Sequence, residues 1–536
     1  MVTRVPAPRI NRKKLFVIGS LVLTAGIAAG AVFWRPLLYA FVVLGPILVL
    51  AAYDLTQKRH TILRNYPLVG HGRYILEEFR HHIRQYFIQS ELDPEPFNRQ
   101  QRSLVYARAK SQIDVNPFGT ILDVYATGHE WINHSLQPRE LAAEEPRVRI
   151  GGPHCTRPYS SSRLNISAMS FGSISSHAIL ALNGGARLGG FAHDTGEGGL
   201  SRYHLMPGGD LIWEIGTGYF GCRDAEGRFD AQAFERKAAL DNVKMIEIKL
   251  SQGAKPGGGG ILPGAKVTRE IAETRGVPEC RDVRSPPTFS TFSTPRGLLA
   301  WIAELRALCG GKPVGVKLCI GERHQFMAIC KAMLEAGAGP DFIVIDGAEG
   351  GTGAAELELS DSVGTPLRDA LIFAHNTLVG AGLRGDVRLV ASGKIISGFD
   401  MAAVIAMGAD LCNSARGMMF ALGCIQAREC HRNTCPTGIT TQDPWRVNGL
   451  VVADKAPRVA NYHRGTIRHF LKVLAVAGLE CPEQLGPDRL LRRVTPTETR
   501  NYRELFDYLE PGALLAGSAT ESYAAPWAAA DPERFQ

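Results

Sequence analysis

From Phe342 the chain reads Phe-Ile-Val-Ile-Asp-Gly-Ala-Glu-Gly-Gly-Thr-Gly-Ala354. A short apolar, β-branched run that breaks at once into glycine is the pattern of a buried strand emptying into a loop. Glycines there let backbone N–H groups approach phosphate oxygens with no Cβ between; by itself the loop reads equally well as a tight turn. The same alternation recurs on both sides. Strand-like runs fall at 165–169, 191–193, 211–215, 245–250, 314–318, 342–345, 387–391 and 411–413. Helical spacing fills several gaps, at 175–188, 296–308, 325–336, 366–379 and 399–407. Eight strands alternating with helices over ~260 residues predict an α/β fold, a (β/α)8 TIM barrel. A doubly wound sheet competes, but no G-x-G-x-x-G opens the first unit. In a barrel the functional residues follow the strands, which is where the glycine-rich motifs lie.

The flanks read differently. Residues 15–34 and 36–53 carry no charge and are each about long enough to cross a ~30 Å hydrocarbon layer, with only Arg35 between them. A transmembrane helical hairpin is expected over 1–54, although a basic start followed by an apolar stretch also fits a secretory signal. Of the net charge of +8, six positive charges precede the first acidic residue, Asp54. That bias predicts a cytoplasmic membrane protein whose catalytic body faces the cytoplasm, and the near-neutral remainder argues against nucleic-acid binding. Residues 55–149 read as a helical arm, 150–443 as the barrel with a cysteine segment, 444–514 as a helical extension, and the Ala- and Pro-containing 515–536 as a poorly ordered tail. The chain has 536 residues, 45% hydrophobic and 21% charged, which excludes a disulfide-stapled peptide, a collagen-like fibre and a wholly disordered protein.

Three motifs carry chemistry. A phosphate is expected near Gly351, Thr352, Gly393, Ala415 and Arg416, because late barrel loops are where such barrels bind one. Lys317 ends the apolar run 314–318, so its ammonium needs an anion, either an internal carboxylate or the N1/O2 edge of a reduced flavin. Cys424, Cys430 and Cys435 stand in a C-x5-C-x4-C-P spacing that suits a three-iron cluster, a zinc site completed by His431, or buried thiols.

With these residues in hand, the chain resembles the FMN-binding synthase domain of glutamate synthase, most of all the short membrane-anchored members. The matching stretches are Ser167-Ala-Met-Ser-Phe-Gly-Ser-Ile-Ser, Asp194-Thr-Gly-Glu-Gly-Gly, Ile248-Lys-Leu-Ser-Gln-Gly-Ala-Lys-Pro-Gly, Leu262-Pro-Gly-Ala-Lys-Val, Gly350-Gly-Thr-Gly-Ala and the cysteine stretch through Gln442. The resemblance implies FMN contacts at Ala168, Met169, Ser170, Gln252, Lys317, Gly350, Gly351, Thr352, Gly353, Ser392, Gly393, Lys394, Ala415 and Arg416. It also implies a [3Fe-4S] cluster on Cys424, Cys430 and Cys435, with Glu197 and Lys255 on the substrate side of the flavin. The implied reaction adds ammonia to 2-oxoglutarate and reduces the imine to glutamate. An external donor such as ferredoxin or a reductase would supply electrons, since no dinucleotide-binding domain is evident.

The departures fall on the substrate side. Gly258-Gly-Gly-Ile261 stands where the family usually carries an acidic residue and a glutamine, Pro286-Pro-Thr-Phe-Ser-Thr-Phe replaces Pro-Pro-His-His-Asp-Ile, and Ala391-Ser-Gly replaces Asp-Gly-Gly. With no amino-terminal catalytic cysteine, glutamine hydrolysis is not expected, and ammonia or another amine would come free or from an amidotransferase partner. Three functions are therefore in play: glutamate synthase, an N-substituted glutamate synthase, and a membrane-anchored FMN/iron–sulfur electron-transfer protein.

Overall fold

A computed structural model describes residues 12–93, 96–142 and 144–536. They fall into two compact units, Met1–Asp93 and Pro94–Gln536.

The first unit is helical. Arg12–Phe33 and Ala40–Thr56 are joined by a 3-10 turn at Arg35–Tyr39, and the spans Lys14–Phe33 and Arg35–Thr56 are long and apolar enough to cross a membrane by length and composition. Asp54, at the end of the second helix, is fully buried and fixes the turn that follows. Its carboxylate accepts from Leu68 N at 2.9 Å and faces His71 Nε2 at 2.9 Å.

The second unit is built on a closed parallel barrel of eight strands. They are β1 (Leu164–Ile166), β2 (His193–Asp194), β3 (Leu211–Ile215), β4 (Val243–Lys249), β5 (Val314–Leu318), β6 (Phe342–Asp346), β7 (Arg388–Ser392) and β8 (Leu411–Ser414). These are the eight runs read from the sequence. The register Cys412 to Leu164, Asn413 to Asn165 and Ser414 to Ile166 closes β8 on β1.

Side chains alternate across each strand, so every second residue points into the barrel. At the amino end the inward residues are apolar: Ile212, Met245, Phe342, Val344, Val390 and Leu411 form a small core of their own, plugged by Ile150 and Tyr159 from a hairpin beneath. Further along the same faces the inward residues become Glu214, Glu247, Lys249, Asp346, Ser392 and Asn413. The barrel is thus sealed at one end and polar at the other, and a ligand has only the carboxyl end to enter.

Outside, helices cover the strands. Helix Ser176–Gly189 packs against the long helix Val452–Val476 at Gly185, where a Cβ would stand 2.6 Å from Val459 Cβ. No larger residue fits that crossing.

Three regions outside the barrel differ from expectation. The arm is helical only to Ala109; beyond it the chain runs irregularly, with a strand at Glu130–Ile132 pairing with Leu490–Thr495. The extension ends not in helix alone but in that strand and its neighbour Glu498–Asn501. The poorly ordered tail is instead a helix, Glu521–Ala529, seated on the barrel's outer ring. Tyr523 stacks on Phe373 at 5.7 Å and accepts from Asn376 Nδ2 at 2.8 Å, and Lys331 Nζ donates to Ala530 O at 2.9 Å. One buried aromatic anchors a segment whose composition is otherwise bland.

Candidate active site

A cavity of about 420 Å³ opens at the carboxyl end of the barrel, within the ~300–1,000 Å³ of ligand sites. All the residues singled out from sequence line it: Ala168, Met169 and Ser170 after β1, Glu197 after β2, Gln252 and Lys255 after β4, Lys317 on β5, Gly350, Gly351, Thr352 and Gly353 after β6, Ser392, Gly393 and Lys394 at β7, Ala415 and Arg416 after β8, and Cys424, Cys430 and Cys435 beyond.

Its floor is a charged layer. Lys317 Nζ lies 2.8 Å from Glu214 Oε2 and 3.7 Å from Glu247 Oε1. Asp194, Glu214 and Glu247 are buried and offer oxygens that all lie within 4.8 Å of one another. Carboxylates so close and so dry cannot all ionise. Burial and Glu214 push Asp194 up to about 7, and burial and Asp194 push Glu247 well above the carboxylate range. Burial also works against charge on Glu214 and Lys317, but their mutual attraction wins, holding Glu214 down and Lys317 up. The floor is therefore an ion pair, Lys317 with Glu214, flanked by proton-holding acids.

The loops above are pinned to this floor through Asp346, which accepts from Gly253 N at 2.8 Å and Ser392 Oγ at 2.8 Å. At Gly253 the loops after β4 and β6 nearly touch: a Cβ there would stand 1.8 Å from Gly347 O. At the opposite end, Arg416 Nη2 donates to Glu349 O at 2.7 Å and Lys394 sits beside it with φ +52°. Burial lowers both, Arg416 to about 10.

On the third wall Glu197 Oε2 pairs with Lys249 Nζ at 3.1 Å. Burial pulls Lys255 below the usual lysine value. Gly260 faces Glu197, and a Cβ there would stand 2.5 Å from Glu197 Oε1. Lys266 Nζ donates to Ser173 O at 2.9 Å and Cys430 O at 3.1 Å, and burial brings it down to about 8.

Sequence reading missed Glu214, Glu247, Lys249 and Lys266. The first three were visible as charges at every second position of otherwise apolar strands, the spacing of inward residues near a barrel's functional end.

The residues present fit a flavin mononucleotide. One part of the lining offers cations and side-chain-free backbone for a phosphate, another a buried lysine suited to a flavin edge, and among the described residues Asn413 Oδ1 is buried in the same lining without a hydrogen-bond partner. Eight parallel strands opening on such a cavity define a (β/α)8 barrel with its ligand site at the carboxyl end.

The conserved region of glutamate synthase matches residues 126–480. The glutamate synthase large subunit-like protein YerD of Bacillus subtilis (strain 168) is 37% identical over 481 residues, covering 82% of this chain and 91% of that protein. The archaeal-type glutamate synthase [NADPH] of Thermotoga maritima is 37% identical over 329 residues, 61% of either chain, so this chain spans about three fifths of that relative's length. Among solved structures, mandelate oxidase with benzoyl-formic acid aligns at a TM-score of 0.42 and 16% identity, over 75% of this chain and 98% of that one. The chain belongs to the glutamate synthase family. It is a glutamate synthase-like oxidoreductase.

Proposed function

We propose that the protein reductively aminates 2-oxoglutarate, or a related 2-oxo acid, to the amino acid. The observation that carries this reading is the convergence of Glu197, Lys249 and Lys255 on one wall of the cavity whose floor is Lys317. FMN, when bound, supplies the hydride. Lys317 lies where it would balance negative charge at the N1/O2 edge of the reduced ring, and its own fixed partner, Glu214, holds it in place. Lys255, lowered by burial, is suited to bind a substrate carboxylate or to give a proton. Glu197, set by Lys249, would orient the imine. Arg416 and Lys394, with the backbone of Gly351, Thr352 and Gly393, would hold the phosphate.

Electrons would arrive through a [3Fe-4S] cluster on Cys424, Cys430 and Cys435. All three line the cavity, in a spacing that suits such a cluster. The donor would be external, a ferredoxin or a reductase, and the amine would come free or from an amidotransferase partner. The two apolar helices and the cations before them support anchorage in the cytoplasmic membrane with the body on the cytoplasmic side. The loss of the family's acidic and glutamine side chains at Gly258–Ile261 favours a second reading in which an amine larger than ammonia is joined to the oxo acid.

The test is anaerobic stopped-flow of photoreduced enzyme mixed with 2-oxoglutarate and ammonium. Flavin reoxidation with glutamate formed is the expected result, and Lys255→Met should slow it on the order of 100-fold or more while leaving flavin bound. Reoxidation only with a substituted amine would select the second reading. A Lys255→Met enzyme that passes electrons to its acceptor at full speed would mean electron transfer without amine chemistry. Cys430→Ser should lose iron; an unchanged iron content would remove the cluster.

A further inference from the structure

Phe97 precedes the first residue matched by the glutamate synthase region, 126, yet it lines the cavity and is only 1% exposed. Its ring lies 4.9 Å from the Arg416 guanidinium and meets Phe420 edge-on at 5.3 Å. Arg416 is flanked on another side by Gly351, where a Cβ would stand 2.8 Å from its Cδ. The guanidinium is thus held between a ring and a bare backbone. One of its N–H groups is committed to Glu349 O, and the residue lines the cavity.

The backbone of Phe97 is fixed as firmly as its ring. Gln426 accepts from Phe97 N at 3.2 Å and donates to Phe97 O at 3.2 Å. Immediately after it, Asn98 and Gln101 form a reciprocal capping box, at 2.8 and 3.0 Å, that starts helix Arg99–Ala109. From that helix Tyr106 OH donates to Cys424 O at 2.6 Å. Gln426 and Arg428 hold left-handed backbone, φ +56° and +61°, which residues with a Cβ adopt only when their surroundings impose it. The two bonds from Phe97 are part of that surrounding.

We propose that residues 96–106 form a strap that belongs to the cofactor site, in which Phe97 is a positioning residue that orients Arg416 toward the flavin phosphate. This rests on the placement of the phosphate at Arg416 proposed above. An arginine over an aromatic face loses less freedom when it binds an oxyanion, because its plane is already set. The strap therefore selects for the phosphate group and not for the isoalloxazine ring.

The test compares two ligands that differ only in that phosphate. Full-length enzyme stripped of flavin is titrated with FMN and with riboflavin, following flavin fluorescence, for the unaltered protein, Phe97→Leu, Phe97→Met and Arg416→Ala. Phe97→Leu and Phe97→Met should weaken FMN on the order of tenfold and leave riboflavin unchanged, so that the preference for FMN shrinks. A loss shared equally by FMN and riboflavin would mean that Phe97 only supports the fold and would overturn the strap. No loss for either ligand would overturn it as well. Arg416→Ala separates the two levels: if it too leaves the FMN-to-riboflavin ratio untouched, the phosphate does not sit at Arg416 and the underlying reading fails. If it collapses the ratio while the Phe97 variants do not, the phosphate placement stands and the strap falls alone.

Discussion

The floor and the rim of the cavity both carry cations, but in opposite states. On the floor, Lys317 is locked to Glu214 at 2.8 Å with Glu247 and Asp194 beside it. At the rim, among the described residues, neither Lys394 nor Arg416 forms an ion pair with a carboxylate, and both are lowered by burial. A buried charge held by a close counterion is stabilised within the fold; one met only by more distant carboxylates, as Arg416 is by Asp346 and Glu349, gains more from a bound anion. The cavity is thus polarised before anything binds, with an anion wanted at one end and a nearly neutral, proton-holding surface at the other.

Removing the floor cation breaks the comparison hardest. Lys317→Met leaves three clustered acids without their base, and breaking a buried pair in this way costs on the order of 3–5 kcal/mol. Urea unfolding near pH 8 should show that loss, and at pH 5, where the acids take up protons, much of it should return. Equal stability at both pH values would refute the ion-paired floor. The rim should behave otherwise. Lys394→Ala is expected to leave urea stability unchanged or slightly higher, while FMN binds roughly tenfold more weakly, a charged hydrogen bond being worth ~1.5–3 kcal/mol. A variant that melts early but holds flavin normally would make Lys394 a structural cation.

The smallest effect sharpens the floor itself. Asp194 keeps a proton up to about 7 in the native protein, whereas the unfolded chain releases it near 4. The native state therefore binds more protons across that window, and the Asp194 contribution to stability falls as pH rises from about 4 to about 7. Relative to the unaltered protein, Asp194→Asn should gain stability over this range, by about 1 kcal/mol because neighbouring acids share the titration. Denaturation midpoints of both proteins at several pH values measure it, and parallel curves would sink the assignment. Using the difference removes buried His193 and His463, whose lowered pKa values act with the opposite sign.

What the sequence disclosed follows from range. The eight strands were legible because most are short apolar runs flanked by glycine, a local signal, and the cavity-lining glycines follow because loops after barrel strands converge by topology. Glu214 and Glu247 were not singled out, because only in a closed barrel does their face of the strand turn inward to meet Lys317. Phe97 gave no signal at all. Its partners, Arg416, Phe420 and Gln426, lie more than 300 residues away, and a phenylalanine before a helix cap reads as ordinary packing. The tail was misread for a similar reason: Tyr523 matters through Phe373 and Asn376, not through its alanine-rich neighbours.

Closure of the barrel by β8 on β1 also sets an order of assembly. Leu164 and Cys412 are neighbours in space and almost 250 positions apart along the chain, so this seam forms only after everything between has been synthesised. Met169 and Ser170 on one side of it, and Ala415 and Arg416 on the other, face the cofactor cavity together. The cavity's full lining therefore exists only once the cylinder has closed, and both ends of the barrel sequence must be in place before a ligand can meet a complete site.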